Sequence, residues 1–291
     1  REDIFGLAHG APADLPADAI RSALARIEAP QRIALRHTVG FDAPLRAADV
    51  GPGAPDDGLP VALEQVIEAN GITGFKIKLK GDPEADLARL RDISDIVSAL
   101  PGLTATLDAN EQYAPDAFAA LLEGFSGDAA CAPLFAATRF VEQPFPREIA
   151  LERPVSAALP LVIDESDDSE TAFPRALELG WSGTSIKSCK GVFGAVLNRA
   201  RCDVWNATAA EDGTIMQSGE DLTNLPLVAL QQDLHVGDAM PRDRLAQPLA
   251  AGQCLRRDEA LVLRVAVRAH HQPGTGRTLE VLARVGAVDG A

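Results

Sequence analysis

The stretch Phe75-Lys76-Ile77-Lys78-Leu79-Lys80, followed by a helical run from Pro83 to Leu100 and then by Leu103–Leu107 leading into Asp108-Ala109-Asn110, decides the fold. Its first six residues alternate apolar and basic side chains, the two-residue period of a strand. The middle run carries its acids early and stops at Pro101-Gly102, as a helix does. The second apolar run is short and reads as the next strand. A strand, a crossover helix and a strand in succession belong to a parallel sheet.

The same unit recurs on both sides. Upstream, an Ala-rich helical opening (Ala17–Ala29) precedes a strand at Arg32–Val39, a Pro/Gly/Asp loop (Gly51–Pro60) and a helix at Val61–Asn70 that stops at Asn70-Gly71. Downstream, Pro115–Gly124 is the next helix, and Phe140–Glu142, Leu161–Asp164, Thr184–Lys187 and Thr214–Gln217 are short apolar strands. Helices are expected near Arg147–Ala158, Ser169–Gly180, Val192–Arg201 and Asn224–Leu234. Seven βα units without a dinucleotide fingerprint predict an α/β fold of the (β/α)₈, TIM-like type. The eighth strand is not obvious; Ala260–Val267 is the candidate, so the barrel is expected to be incomplete.

Composition bounds the rest. With 291 residues, 46% of them hydrophobic, the chain can bury one large core. It has no apolar run long enough to span a bilayer and no secretory leader pattern at Arg1-Glu2-Asp3. A net charge of −15 argues against nucleic acid and anionic membrane as partners. Cys131, Cys189, Cys202 and Cys254 form no CxxC pair, which fits a reducing cytoplasm rather than a zinc site or disulfide framework. The charge shifts along the chain: residues 1–240 hold 19 basic and 37 acidic side chains, residues 241–291 hold 8 arginines and 5 acids. The expected division is therefore a leader or remnant of a preceding region (1–31), a barrel (32–240) and an atypical Arg/Ala-rich segment (241–291).

Barrel active sites lie at the C-terminal ends of the strands. Those ends hold Lys76, Lys78 and Lys80, then Asp108 and Asn110, Glu142-Gln143-Pro144, Asp164-Glu165-Ser166, Lys187, and Glu220-Asp221. Acids from three successive strands make an oxygen set suited to Mg²⁺. Taken singly, the lysines also suit a half-exposed strand, and Asp164 or Glu165 a helix cap. Taken together, their succession at strand ends favours a site. Strict alternation turns only one of Asp164 and Glu165 inward.

Phe-Lys76-Ile-Lys78, Leu-Asp108-Ala-Asn110, Val-Glu142-Gln-Pro144, Ile-Asp164-Glu165-Ser166 and Ser-Ile-Lys187 resemble, in order and interval, the motifs of the enolase superfamily, nearest in pattern to its muconate lactonizing enzyme subgroup. The resemblance runs from about Arg32 to Leu234. It implies one Mg²⁺ held by Asp108, Glu142 and Asp164, with Glu165 the competing third ligand. Lys78 and Lys187 become acid/base groups on opposite faces of a small-molecule carboxylate, Lys76 is their companion, and Asn110 and Glu220 are substrate-binding. Neighbouring Lys76 and Lys80, with desolvation, are expected to lower the pKa of Lys78. Strand seven, Ile215-Met216-Gln217-Ser218, lacks the histidine of the mandelate racemase subgroup. The implied reaction removes a proton α to a carboxylate through an enediolate, in a racemase, epimerase or cycloisomerase. An acid-sugar dehydratase, a succinylbenzoate-synthase-like lyase and an inactive metal-binding barrel are the alternatives. The family's N-terminal capping domain has little room ahead of Arg32, so the chain by itself is expected to be weakly active or inactive. Its unpaired sheet edges invite homo-oligomers.

Overall fold

The computed structural model describes residues 9–26, 32–55, 57–208 and 215–220, together with the strand segments Cys254–Arg256, Leu261–Gln272 and Gly276–Ala287. Helix α1 (Ala17–Arg26) is followed by the short strand β1 (Arg32–Ala34) and then β2 (His37–Val39). From there strands and helices alternate: α2 (Leu63–Asn70), β3 (Gly74–Lys78), α3 (Pro83–Val97), β4 (Thr104–Asp108), α4 (Pro115–Gly127), α5 (Ala132–Ala137) and β5 (Thr138–Glu142). The series continues through α6 (Arg147–Ala150), β6 (Leu161–Ile163), α7 (Ala172–Glu178), β7 (Gly183–Ile186), α8 (Val192–Thr208) and β8 (Met216–Gly219).

Strands β2 to β8 form one seven-stranded sheet in chain order, every neighbouring pair parallel. The two edges of that linear order meet. Arg36, one residue ahead of β2, donates to Ser218 Oγ at 2.8 Å and to Gly219 O at 2.9 Å, both on β8. The sheet is therefore curled into a barrel wall, the incomplete (β/α)₈-type barrel that the repeating units predict. The expected eighth strand, Ala260–Val267, does not join it. Those residues fall largely in β10 (Leu261–Gln272), which pairs antiparallel with β11 (Gly276–Ala287). Strand β9 (Cys254–Arg256) pairs antiparallel with β1. The expected strand Arg32–Val39 is thus two strands with different partners. The helix expected at Asn224–Leu234 lies outside the described residues.

Local chemistry sets the element ends. Asp82 caps α3, its carboxylate accepting from Glu84 N (3.0 Å) and Ala85 N (3.1 Å), with Pro83 in the first turn. Gly71 ends α2 in the left-handed conformation, its N–H bonded to Ile67 O at 2.8 Å. The outward-pointing strand residues Phe75, Ile77, Ala105, Leu107, Val141, Leu161 and Ile163 pack beneath Leu90, Ile93, Val97, Leu121, Phe125 and Phe173 of the helices. Truncating one of these, such as Leu107→Ala, removes contacts that cores value at about 2–5 kcal/mol. Helix α1 rests on α8 through Leu15, Ile20, Ala23 and Ala200, and Arg201 grips Asp14 at 2.8 and 3.2 Å. With these apolar residues turned outward to the helices, the inward positions hold most of the charged strand residues, with Phe140 and Val162 beside them.

Candidate active site

Strand β3 shows how the site is assembled. Phe75 and Ile77 face the helices, so Lys76 and Lys78 point into the barrel. Lys76 is 6% exposed, which removes the half-exposed-strand reading of this lysine run. Lys80 departs from the pattern. The strand ends at Lys78 and the chain turns through Gly81 into α3, so Lys80 Nζ pairs with Asp42 at the surface and not with the other lysines. It therefore stands outside the inner group of charges, and not beside Lys78 as expected from sequence.

Register puts the partners at one level: Lys78 lies opposite Asp108, and Asp108 opposite Glu142. Glu142 lies opposite Val162, so Asp164, two residues on, shares the inward parity and Glu165 does not. Asp108, Glu142 and Asp164 are each at most 1% exposed. Lys76 Nζ sits among Asp108 Oδ2 (2.8 Å), Glu142 Oε2 (2.9 Å) and Glu220 Oε2. Lys78 Nζ donates to Asp108 Oδ2 at 2.5 Å and to Asn110 Oδ1 at 2.6 Å. Asp164 accepts from Lys187 Nζ and Ser185 Oγ, both at 2.5 Å, and lies 2.8 Å from Lys190 Nζ. The residues assigned from sequence thus fall into two groups, one around Lys76 with Lys78, Asp108, Asn110, Glu142 and Glu220, the other of Asp164 with Lys187. Asn110 links the first to Glu165, Nδ2 donating to Oε1 at 3.0 Å.

The electrostatics follow from burial and contact. Burial pushes the Lys76 ammonium toward deprotonation, but Glu142, Glu220 and Asp108 outweigh it and hold its pKa well above the usual lysine value. Lys187 is raised the same way: burial opposes, Asp164 prevails. Lys76 and Lys187 are thus both held protonated by the acids around them. Burial raises the Glu142 carboxyl well above its ordinary value, Glu220 adds to this and Lys76 opposes it. Asp164 is held below the carboxylate range, because Lys190 and Lys187 overcome its desolvation.

Glu142 carries the test of whether a cation suits these residues. Its Oε1 and Oε2 are buried without a hydrogen-bond donor, the Lys76 contact lacking hydrogen-bond geometry. Orphaned carboxylate oxygens beside two further buried acids are the ligand chemistry of a hard divalent ion. Among the described residues no three His, Cys, Asp or Glu side chains form a cluster able to hold a metal ion, and Lys76 Nζ sits among Asp108, Glu142 and Glu220. The donor set fits; its positive charge is supplied by lysine.

Three participants escaped the sequence reading. Arg36 donates to Thr106 Oγ1 (3.0 Å) and Glu220 Oε1 (3.1 Å) and covers the Phe140 ring. An arginine in a stretch read as an apolar strand was the available signal. Lys190, three residues beyond Lys187, also donates to Asp164 O (2.7 Å) and Ser185 O (3.0 Å). Gln143, quoted only as part of a motif, is the third.

Comparison with known proteins agrees with this fold. The family model for the enolase C-terminal domain-like family matches residues 59–280, and the chain belongs to that family. Among solved structures, a mandelate racemase/muconate lactonizing protein from Herpetosiphon aurantiacus is similar at 21% identity and TM-score 0.53, over 72% of this chain and 52% of that one. A dipeptide epimerase from Methylococcus capsulatus, complexed with Mg ion, is similar at 20% identity and TM-score 0.52, over 95% of this chain and 72% of that one. A dipeptide epimerase from Enterococcus faecalis V583 is similar at 18% identity and TM-score 0.53, over 77% and 60%. The chain spans about half the length of the first of these structures. No curated protein matches it. Among the described residues no helix is long and apolar enough to cross a membrane.

Proposed function

We propose that this chain performs proton abstraction α to a carboxylate on a small-molecule substrate, as a racemase, epimerase or cycloisomerase. The observation that supports the reading most is the strand order: Lys78 on β3 and Lys187 after β7 flank the buried acids of β4, β5 and β6. In this reading Asp108, Glu142 and Asp164 hold one Mg²⁺, which when bound supplies Lewis-acid stabilisation of the charge that develops on the substrate carboxylate. Inward parity favours Asp164 over Glu165 as the third ligand. Lys78 Nζ and Lys187 Nζ exchange the α-proton, one on each face. Asn110 fixes Lys78 through its 2.6 Å contact and reaches toward the substrate. Glu220, gripped by Arg36 and Lys76, orients Lys76 from across the barrel.

Dipeptides are suitable first probes because two of the similar structures are dipeptide epimerases. In D₂O with MgCl₂, NMR should show α-proton exchange by the wild-type chain. Lys187→Ala should lose exchange of one stereoisomer by at least about 100-fold, the lower end of a general acid–base contribution, and Lys78→Ala that of the other. Equal losses for both isomers in both variants would overturn the two-face assignment. Exchange that survives Asp108→Asn unchanged would overturn the role of the acids.

A further inference from the structure

Gln143 has no assigned role, yet it is the point through which two of the site's acids are tied together. It is fully buried and its φ is 37°, a left-handed conformation that is costly for a residue with a side chain. Its carboxamide is satisfied on every side that points to protein. Oε1 accepts from Asp164 N at 2.8 Å and Ser166 N at 3.2 Å. Nε2 donates to Phe145 O at 2.8 Å and Ser166 Oγ at 2.7 Å. Its main chain does the same for the flanking strand ends: Gln143 N donates to Val162 O at 2.8 Å, and Gln143 O accepts from Glu111 N at 2.9 Å.

We infer that Gln143 is a positioning residue that fixes Asp164 relative to Glu142. The inference rests on the proposed cation role of these acids. Gln143 is covalently next to Glu142, and its side chain holds the backbone N–H of Asp164, so the separation of the two carboxylates is set through one rigid amide. β6 ends at Ile163, so no ladder hydrogen bond holds Asp164 in place there. The carboxamide replaces the ladder for Asp164 and Ser166. The left-handed backbone at Gln143 is the strain this arrangement maintains. Ligand-orienting partners of this kind are worth about 10- to 100-fold in metal affinity.

The test compares Gln143→Met, which fills the same space without hydrogen bonds, with Gln143→Glu, which keeps an oxygen to accept from Asp164 N and Ser166 N but loses the Nε2 donor to Phe145 O. Leu121→Ala, a core truncation on α4, is the control for lost stability alone. Two readouts are taken on the full chain: amide hydrogen exchange at Asp164 and Ser166 without divalent cation, and MgCl₂ affinity by calorimetry well below the melting temperature. Gln143→Met should speed exchange at those two amides at least tenfold relative to Leu107 and Val141, and weaken Mg²⁺ about 10- to 100-fold. Gln143→Glu should retain the protection, and Leu121→Ala should lower stability without changing affinity. Unchanged protection at Asp164 and Ser166 in Gln143→Met overturns the inference. So does lost protection with unchanged Mg²⁺ affinity, which would mark a purely structural clamp. If the wild-type chain binds no Mg²⁺, the cation reading fails, and the exchange arm still decides whether Gln143 holds Asp164.

Discussion

Three residues with side chains adopt positive φ in the described parts of the chain, Asn110, Glu111 and Gln143, and all three follow β4 or β5 directly. Backbone strain is gathered where the acids sit, and the surrounding hydrogen bonds hold it: Glu111, for example, accepts from Arg147 N, Nε and Nη2 at 2.7, 3.0 and 2.9 Å. Gly81, at the turn after β3, is the matching case for glycine. Its φ is 89°, and a Cβ there would stand 2.5 Å from Gln112 O. Gly81→Ala should destabilise the fold by roughly 1–3 kcal/mol, read as a lower urea midpoint with unchanged m-value. An unchanged midpoint would mean that the turn can relax without cost. The inward direction of Lys76, Lys78, Asp108 and Glu142 was legible from the sequence because strand parity assigns it; that of Lys80 was not, because the strand ends before it. The role of Gln143 was not, because a carboxamide that bonds two backbone groups of another strand leaves no periodic trace.

Among the elements, strands β3 to β8 were read to within a residue or two, the first and last strands and the helices less well. A helix was expected over Arg147–Ala158; α6 stops at Ala150. Pro154 lacks the N–H a continuing helix needs and drives Arg153 toward extended backbone, and Pro160 repeats the obstacle. Helix α5 was missed: six residues with a proline in the first turn fall below any periodicity window. The seam between β2 and β8 was invisible to sequence, since it depends on one side chain crossing the barrel. Arg36→Met leaves Glu220 with one cation fewer and Ser218, Gly219 and Thr106 without this donor. It should cost roughly 3 kcal/mol, the low end for breaking a buried pair. Amides of β2 and β8 should exchange faster while those of β4 and β5 do not. Uniform acceleration across the sheet would show that Arg36 stabilises the whole barrel rather than its seam.

For the whole molecule, repeating βα units foretold the barrel. They did not foretell the fate of the last fifty residues, whose described strands pair antiparallel instead of closing the parallel sheet. Cysteines report on how firmly the whole is packed. Cys131 and Cys202 are buried, Cys189 is exposed, and burial pushes the Cys131 thiol up to about 11 and raises that of Cys202 further. Under native conditions near pH 8, iodoacetamide should modify Cys189 while sparing Cys131 and Cys202 until the protein opens. Peptide mapping against urea concentration should then show Cys131 and Cys202 becoming reactive in the same transition. Native labelling of Cys131 as fast as Cys189 would contradict the packing of α4 and α5 over the sheet.

The two faces of the sheet differ in what holds them, and so in which solvent each resists. Outside the sheet, Phe75, Leu107, Val141 and Ile163 meet helices across an apolar layer. Inside it, Lys76, Asp108, Glu142, Asp164 and Lys187 meet as ions. Urea solvates the first kind of contact, whereas dissolved ions screen the second only weakly, because charges so deeply buried lie out of their reach. Added sodium chloride should therefore move the chain's urea midpoint little, and a large fall would show that water reaches the charges of the lumen.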